Sequence, residues 1–290
     1  MQAIAKNHLS LCQALDLLSE GTWMELQQGA QTSQYLGEES VTDYNLMRLA
    51  ASVPSVVVEK HTKRREFKSG ADWEMWTGRS GAFVGLRVQA KILNDRSLRY
   101  ESLYSSRKKI VGQIDKLINS ARIAPKPMYP LLAFYNYAST GPTNLSDMRC
   151  PRITTTPLLG GWTVASAVSV RHRLLADPSR DLRNLVDLML PMSCLFCCPA
   201  QCAVLPAGER PSLAAAVVER VTRAWPDSDA ESALNLGFGP VYVERLFKGE
   251  RVETGWDFLP QGIRRGFTRQ RELPRGISRV VVVRDLQEIP

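Results

Sequence analysis

No apolar run in the 290 residues approaches the roughly 18–20 needed to cross a bilayer as a helix. The opening stretch, MQAIAKNHLSLCQALDLLSEG, also lacks the unbroken apolar segment of a secretory signal. It alternates polar with apolar instead, and Ile4, Leu9, Leu11, Leu15, Leu17 and Leu18 predict an amphipathic helix over 2–20. Missing too are a phosphate-cradling glycine loop, a dinucleotide fingerprint and a defensible Ser–His–Asp order. Neither an internal repeat nor a low-complexity segment is present. These absences set aside the membrane, nucleotide-fold and triad-hydrolase classes and leave a cytoplasmic globular protein as the expectation.

What is present is ordinary in bulk and unusual in place. Hydrophobic residues make up 44% and charged residues 23%, as in soluble globular proteins. The net charge of +8 and pI near 9.3 favour a polyanionic partner. The basic residues cluster in EKHTKRREFK at 59–68, at Arg107–Lys108–Lys109, and from Arg264 to Arg284. Six cysteines occur, four of them (Cys194, Cys197, Cys198, Cys202) within nine residues. Thiols so close together do not staple distant segments, so no disulfide framework is expected. Buried free thiols are the favoured reading over a zinc site, which ordinarily uses two separated pairs.

Along the chain, EESVTDYNLMRLAAS reads as a helix over 38–50 with early acids at its N-terminus, and residues 28–34 read as a polar turn. SVVVEKHT reads as a strand, ADWEMWT (71–77) and AFVGLRVQAKIL (82–93) as a hairpin, VGQIDKLINSAR (111–122) as a helix, and PLLAFYNY (130–137) as a buried strand. Beyond residue 140 only helices at 180–190 and 212–224, a stretch near 241–247 and a terminal strand at 277–286 are legible. The expected division is an N-terminal helical segment (1–34), a core (35–140) and a C-terminal α+β extension (141–290), whose last strand can return to the first sheet.

Period two puts Arg87, Gln89 and Lys91 on one face of the second hairpin strand, and Asp72 with Glu74 on one face of the first. If the strands pair, Asp72 meets Gln89 and Lys91 across the ladder, with Glu38 or Glu39 of the preceding helix over the same edge. Hard oxygen donors of this kind suit Mg2+ or Mn2+ with a substrate phosphate. Asp72 offers a carboxylate, Gln89 an amide oxygen, Ala90 a backbone carbonyl and Glu39 a further carboxylate. Lys91 would meet developing negative charge.

This arrangement resembles the PD-(D/E)xK nuclease superfamily, whose restriction-endonuclease-like core runs αβββαβ around a mixed sheet. Its acid and (D/E/Q)-x-K signature fall here on Asp72 and Gln89–Ala90–Lys91, in the variant whose first-helix acid, Glu39, assists the metal. More narrowly, EESVTD, GADWEMW, GLRVQAK and QIDKLI resemble proteins of the DUF6615 type over residues 35–140. The resemblance implies a Mg2+- or Mn2+-dependent endonuclease acting on DNA, in a prokaryotic setting such as defence against foreign DNA. It leaves room for a homodimer and for an activating partner protein, and implies no membrane partner. Two departures stand out: Gly-Ala rather than Pro precedes the acid, and a neutral Gln replaces the usual second carboxylate, which removes one negative charge from the metal.

Lys63, Arg64, Arg65 and Lys68 are candidates for tracking a phosphate backbone, against the plainer reading of an exposed basic loop. Glu38, Glu74 and Gln113 are secondary candidates, and Trp73 and Trp76 are expected in the core. Two other readings stay open: a nuclease-fold protein that binds nucleic acid without cutting it, and a structural metal protein centred on the cysteines.

Overall fold

The computed structural model describes residues 9–60, 70–79, 82–103, 112–124, 128–140, 145, 147, 148, 150–197, 212–226, 234–236 and 279–284. Among them lie six α-helices: α1 (Leu11–Thr32), α2 (Glu38–Ser52), α3 (Gly112–Arg122), α4 (Ala167–Ala176), α5 (Leu182–Leu185) and α6 (Leu213–Ala224). The strands are β1 (Val56–Lys60), β2 (Trp73–Arg79), β3 (Ala82–Ile92), β4 (Tyr129–Tyr135), β5 (Trp162–Ser166), β6 (Leu190–Pro191), β7 (Leu234–Leu236) and β8 (Arg279–Arg284). The fold is α/β, with one open mixed sheet in the order β1-β8-β2-β3-β4-β5-β6 and β7 paired to the start of β3.

The expected hairpin forms, with Trp73 opposite Val88 and Arg79 opposite Ala82. α3 then carries the chain over to β4, which runs parallel to β3, as a crossover helix does. Its stripe of Ile114, Leu117, Ile118 and Ala121 is buried at the predicted spacing. The strand near the C-terminus does return to the sheet, but not to its edge. β8 lies between β1 and β2, antiparallel to the first and parallel to the second, so β1 joins the sheet through β8. Its Val280–Val283 run is buried, as a strand covered on both faces requires.

Several boundaries differ from the sequence reading. The first helix runs to Thr32 instead of ending near 20, because QGAQT, though polar, opposes no helical geometry. The described part starts at a capping box in which Ser10 Oγ accepts from Gln13 N–H and Gln13 reaches back to the Ser10 N–H. The turn expected at 28–34 shrinks to the residues after Ser33, whose φ of 57° ends the helix. Leu17, placed in the apolar stripe, is exposed, whereas Ala14, Leu15, Leu18 and Trp23 carry the buried face. The helix expected at 180–190 is a short α5 followed by a 3-10 turn and β6. Neither β5 nor α4 was legible. The stretch near 241–247 lies outside the described residues.

α1 seats directly on the turn before β5. A Cβ on Gly161 would stand 2.1 Å from the Ser19 carbonyl oxygen, so only glycine lets the helix approach so closely. Asn45 of α2 donates to Thr22 Oγ1 of α1 at 2.9 Å, giving the buried amide a partner between helices. A disulfide joins Cys12 to Cys197, contrary to the expectation that none would tie distant segments. Proximity in sequence misled there: Cys197 pairs with a residue 185 positions away. Cys150 and Cys194 are buried with their sulfurs in contact.

Gly70 bends the chain into β2 with φ at +69°, and a Cβ there would meet the Gln113 carbonyl and the Leu117 N, each at 2.9 Å. Gly70→Ala therefore combines left-handed strain with a backbone clash. It is expected to lower unfolding free energy by about 1–3 kcal/mol, read from urea denaturation midpoints.

Candidate functional site

Asp72 occupies the position just before β2, where the ladder has begun but the strand has not. Its N–H donates to the Val88 carbonyl at 2.9 Å. Its carboxylate turns across to β3 and accepts from the Ala90 N–H at 2.7 Å. Gly70 makes this possible, because its bend delivers Asp72 to the ladder one position beyond the Trp73–Val88 pair.

Gln89 and Lys91 follow on β3. Both are almost wholly buried, at 1% and 3% exposure. A core strand with β2 on one side and β4 on the other would ordinarily hold Val or Ile there. Lys91 has a partner: its Nζ lies 3.5 Å from Glu38 Oε2, at the N-terminus of α2. Ser102 Oγ donates to the other Glu38 oxygen at 2.5 Å, which fixes that carboxylate from both sides. Gln89 has none. Neither its Oε1 nor its Nε2 finds a hydrogen bond among the described residues. A buried amide in that state costs about 1–3 kcal/mol relative to a satisfied one, so the fold holds it against its own stability.

The remaining candidates separate clearly. Glu38, a secondary candidate by sequence, is the acid that reaches Lys91, while Glu39 sits exposed on the same first turn. Glu74 is taken up by an ion pair with Arg87, at 2.5 Å, and by a 3.4 Å contact from the Trp76 indole N–H. Gln113 lies half-buried in the first turn of α3, its backbone carbonyl against Gly70. Trp73 and Trp76 are buried as expected. Lys63, Arg64, Arg65 and Lys68 lie outside the described residues.

Two groups here were not foreseen. Arg279, the first residue of β8, is 2% exposed and pairs with Asp43 of α2. Its Nη1 also donates to the Asp72 carbonyl at 3.4 Å. The only sequence signal was an arginine set directly before a four-valine run, and its meaning depended on where β8 inserts. Tyr135, at the end of β4, shares a 2.8 Å hydrogen bond with Thr42 of α2. Burial pushes its phenol well above the ordinary range, and the nearby Asp72 and Glu38 carboxylates add to the rise, so it stays protonated at neutral pH.

Whether this set could hold a metal turns on donor chemistry. Asp72 and Glu38 supply carboxylate oxygens, and Gln89 supplies an amide oxygen that no other described residue claims. All are hard donors of the type that Mg2+ and Mn2+ take. Among the described residues no group of three or more His, Cys, Asp or Glu side chains is set to hold a metal as it stands. A site here would thus depend on the neutral Gln89 and on backbone or solvent oxygens beside one or two acids. No described helix is long and apolar enough to cross a membrane.

Replacing the unpartnered amide tests its cost. Gln89→Leu, close in volume, is expected to raise unfolding free energy by about 1–3 kcal/mol in metal-free protein, because it removes a desolvated amide and leaves no cavity. Thermal and urea denaturation read this directly, and a loss of stability would mean that the amide is satisfied in solution.

No curated protein matches the chain. The sequence from residue 11 to 288 does match a family described as "Family of unknown function (DUF6615)", and since that match extends far past the hairpin on both sides, the chain belongs to this family over nearly its whole length.

Proposed function

We propose that the protein is a metal-dependent nuclease of the PD-(D/E)xK type, hydrolysing phosphodiester bonds in DNA with Mg2+ or Mn2+. The observation that supports this most is the buried Gln89 amide, unpartnered among the described residues, next to the Ala90 N–H that the Asp72 carboxylate accepts from and two residues from a buried lysine. Structural economy would remove such a group, whereas metal binding would use it.

In this reading Asp72, Gln89 and the Ala90 carbonyl hold the metal, and Glu38 or Glu39 adds a carboxylate from α2. The bound ion would lower the pKa of a water and polarise the phosphate. Lys91 serves the substrate: its ammonium is already dehydrated and directed by Glu38, so a phosphate oxygen competing for it meets a preformed charge. Glu38 in turn keeps Lys91 in place when no phosphate is present. Arg279 holds the Asp72 backbone from the far side of the ladder. The neutral Gln89 leaves the ion less negative charge than a second acid would, which favours a weakly held, exchangeable metal. The net charge of +8 suits a polyanionic substrate, and a role against foreign DNA in a prokaryotic cytoplasm rests on the resemblance alone.

A second reading has its own support. Lys91 is paired with Glu38, and one Asp72 oxygen is occupied by the Ala90 N–H, so most of the machinery is internally satisfied. A protein that kept the fold for nucleic-acid binding and lost turnover would look the same.

Cleavage of supercoiled and linear DNA, with Mg2+ or Mn2+ against EDTA, separates the two. Wild-type protein is expected to cut only with metal, and Asp72→Ala and Lys91→Ala to lose about a hundredfold or more in rate. Equal inertness of all three, with DNA binding retained and with candidate activating proteins supplied, favours the binding module.

A further inference from the structure

Four of the six cysteines come together from three distant parts of the chain. Cys12 stands in the first turn of α1, Cys150 just after the segment that follows β4, and Cys194 and Cys197 on one turn before α6. Cys197 is bonded to Cys12, and Cys194 is in sulfur contact with Cys150. Cys194 and Cys197 are spaced C-x2-C, and the Cys197 N–H returns to the Ser193 carbonyl at 2.8 Å, which closes the turn that carries both. The sequence alone suggested a cluster limited to 194–202. The fold draws in Cys12 and Cys150 beside Cys194 and Cys197, while Cys198 and Cys202 lie outside the described residues.

Two arginines stand at the cluster. The Ile153 N–H donates to the Cys150 carbonyl at 3.1 Å, which closes a second turn around a cysteine. The Arg152 guanidinium donates to Cys197 Sγ at 3.5 Å and pairs with Asp16 through its other nitrogen. Arg220 donates to the Cys194 carbonyl at 2.6 Å and adds a second cation. Neutral thiols and disulfide sulfurs gain little from such donors, whereas thiolates gain charge-assisted hydrogen bonds. With Arg152 shared with Asp16, the two arginines would offset part of the net double negative charge of four thiolates around a divalent ion.

We propose that Cys12, Cys150, Cys194 and Cys197 form a tetrathiolate site for a soft divalent metal of the zinc class, distinct from the Asp72–Lys91 site. A C-x2-C pair on one turn, completed by two single cysteines from other segments, supplies the four sulfur donors of a structural zinc centre. The Arg152 guanidinium takes the place that an outer hydrogen bond has around metal thiolates. With Cys12 and Cys197 bonded to each other, the described residues hold no ready metal group, so the site belongs to the reduced chain. A dithiol reductant converts that disulfide into two thiols and becomes a disulfide itself. The four thiols then release four protons and bind one divalent ion. The metal would tie α1 to the turns at 150–154 and 192–197, clamping the helix already seated on Gly161.

The test uses the full chain purified under a non-chelating phosphine reductant, with elemental analysis, thiol titration and cobalt substitution. About one zinc per chain is expected. Cobalt-loaded protein should show sulfur-to-cobalt charge transfer and intense visible bands of a tetrahedral thiolate. Cys150→Ser and Cys197→Ser should each lose the metal, while the gentler removal of zinc from wild type by a chelator should lower its melting temperature and free four thiols. Reduced wild type without stoichiometric metal that also fails to take up cobalt overturns the proposal. So does metal retained in both serine variants. Neither readout depends on DNA cleavage, so this site and the nuclease reading stand or fall separately.

Discussion

A strand covered on both faces can carry a charge or an amide only beside something that answers it, and most of what surrounds β3 follows from that requirement. Arg87 is answered by Glu74 on β2, Lys91 by Glu38 on α2, and the Ala90 N–H by Asp72. Breaking such a pair is costly, since the surviving charge remains buried. The answers come from α2 and from β2 with the residue that leads into it, so β2, β3 and α2 are held in mutual register by electrostatics as well as by apolar contact. Arg279 extends the same logic to β8, linking Asp43 on α2 with the Asp72 carbonyl. Gln89 is the exception, and it is the exception that gives the site its functional reading.

The hairpin, α3 and β4 were legible because each has a local signal: alternation of period two, a 3.6-residue stripe, or an apolar run bounded by prolines. The pairing of Asp72 with the Gln89–Lys91 strand followed from that alternation alone. The insertion of β8 between β1 and β2 was not legible. Its strand character lies in four consecutive valines, but a valine run says nothing of which edges it joins. Arg279 was hidden for that reason, since a lone arginine before a strand has meaning only once its neighbours are known. Trp162–Ser166 failed differently. WTVAS is short, follows two glycines and runs directly into α4, so neither a strand nor a helix period has room to show.

The choice between Glu38 and Glu39 marks another limit of pattern reading. Two adjacent acids in a first helical turn differ by about a hundred degrees in direction, and only the placement of α2 over β3 decides which faces the lysine. The cysteines show the same limit over a longer range. Close spacing in sequence drew attention to 194–202, yet the partners of Cys194 and Cys197 lie 44 and 185 residues away.

The position of β8 also bears on how the molecule assembles. β1 and β2 belong to the first third of the chain, yet the strand between them comes from residues 279–284. Until that strand arrives, both present unpaired backbone edges flanked by apolar side chains, the form of surface that recruits other chains. Pairing across more than two hundred residues is slow to find, so a partly folded population with two open edges would persist for as long as the search lasts. Refolding yield should then fall steeply with protein concentration, and a peptide carrying RVVVVR would be a natural competitor for the gap.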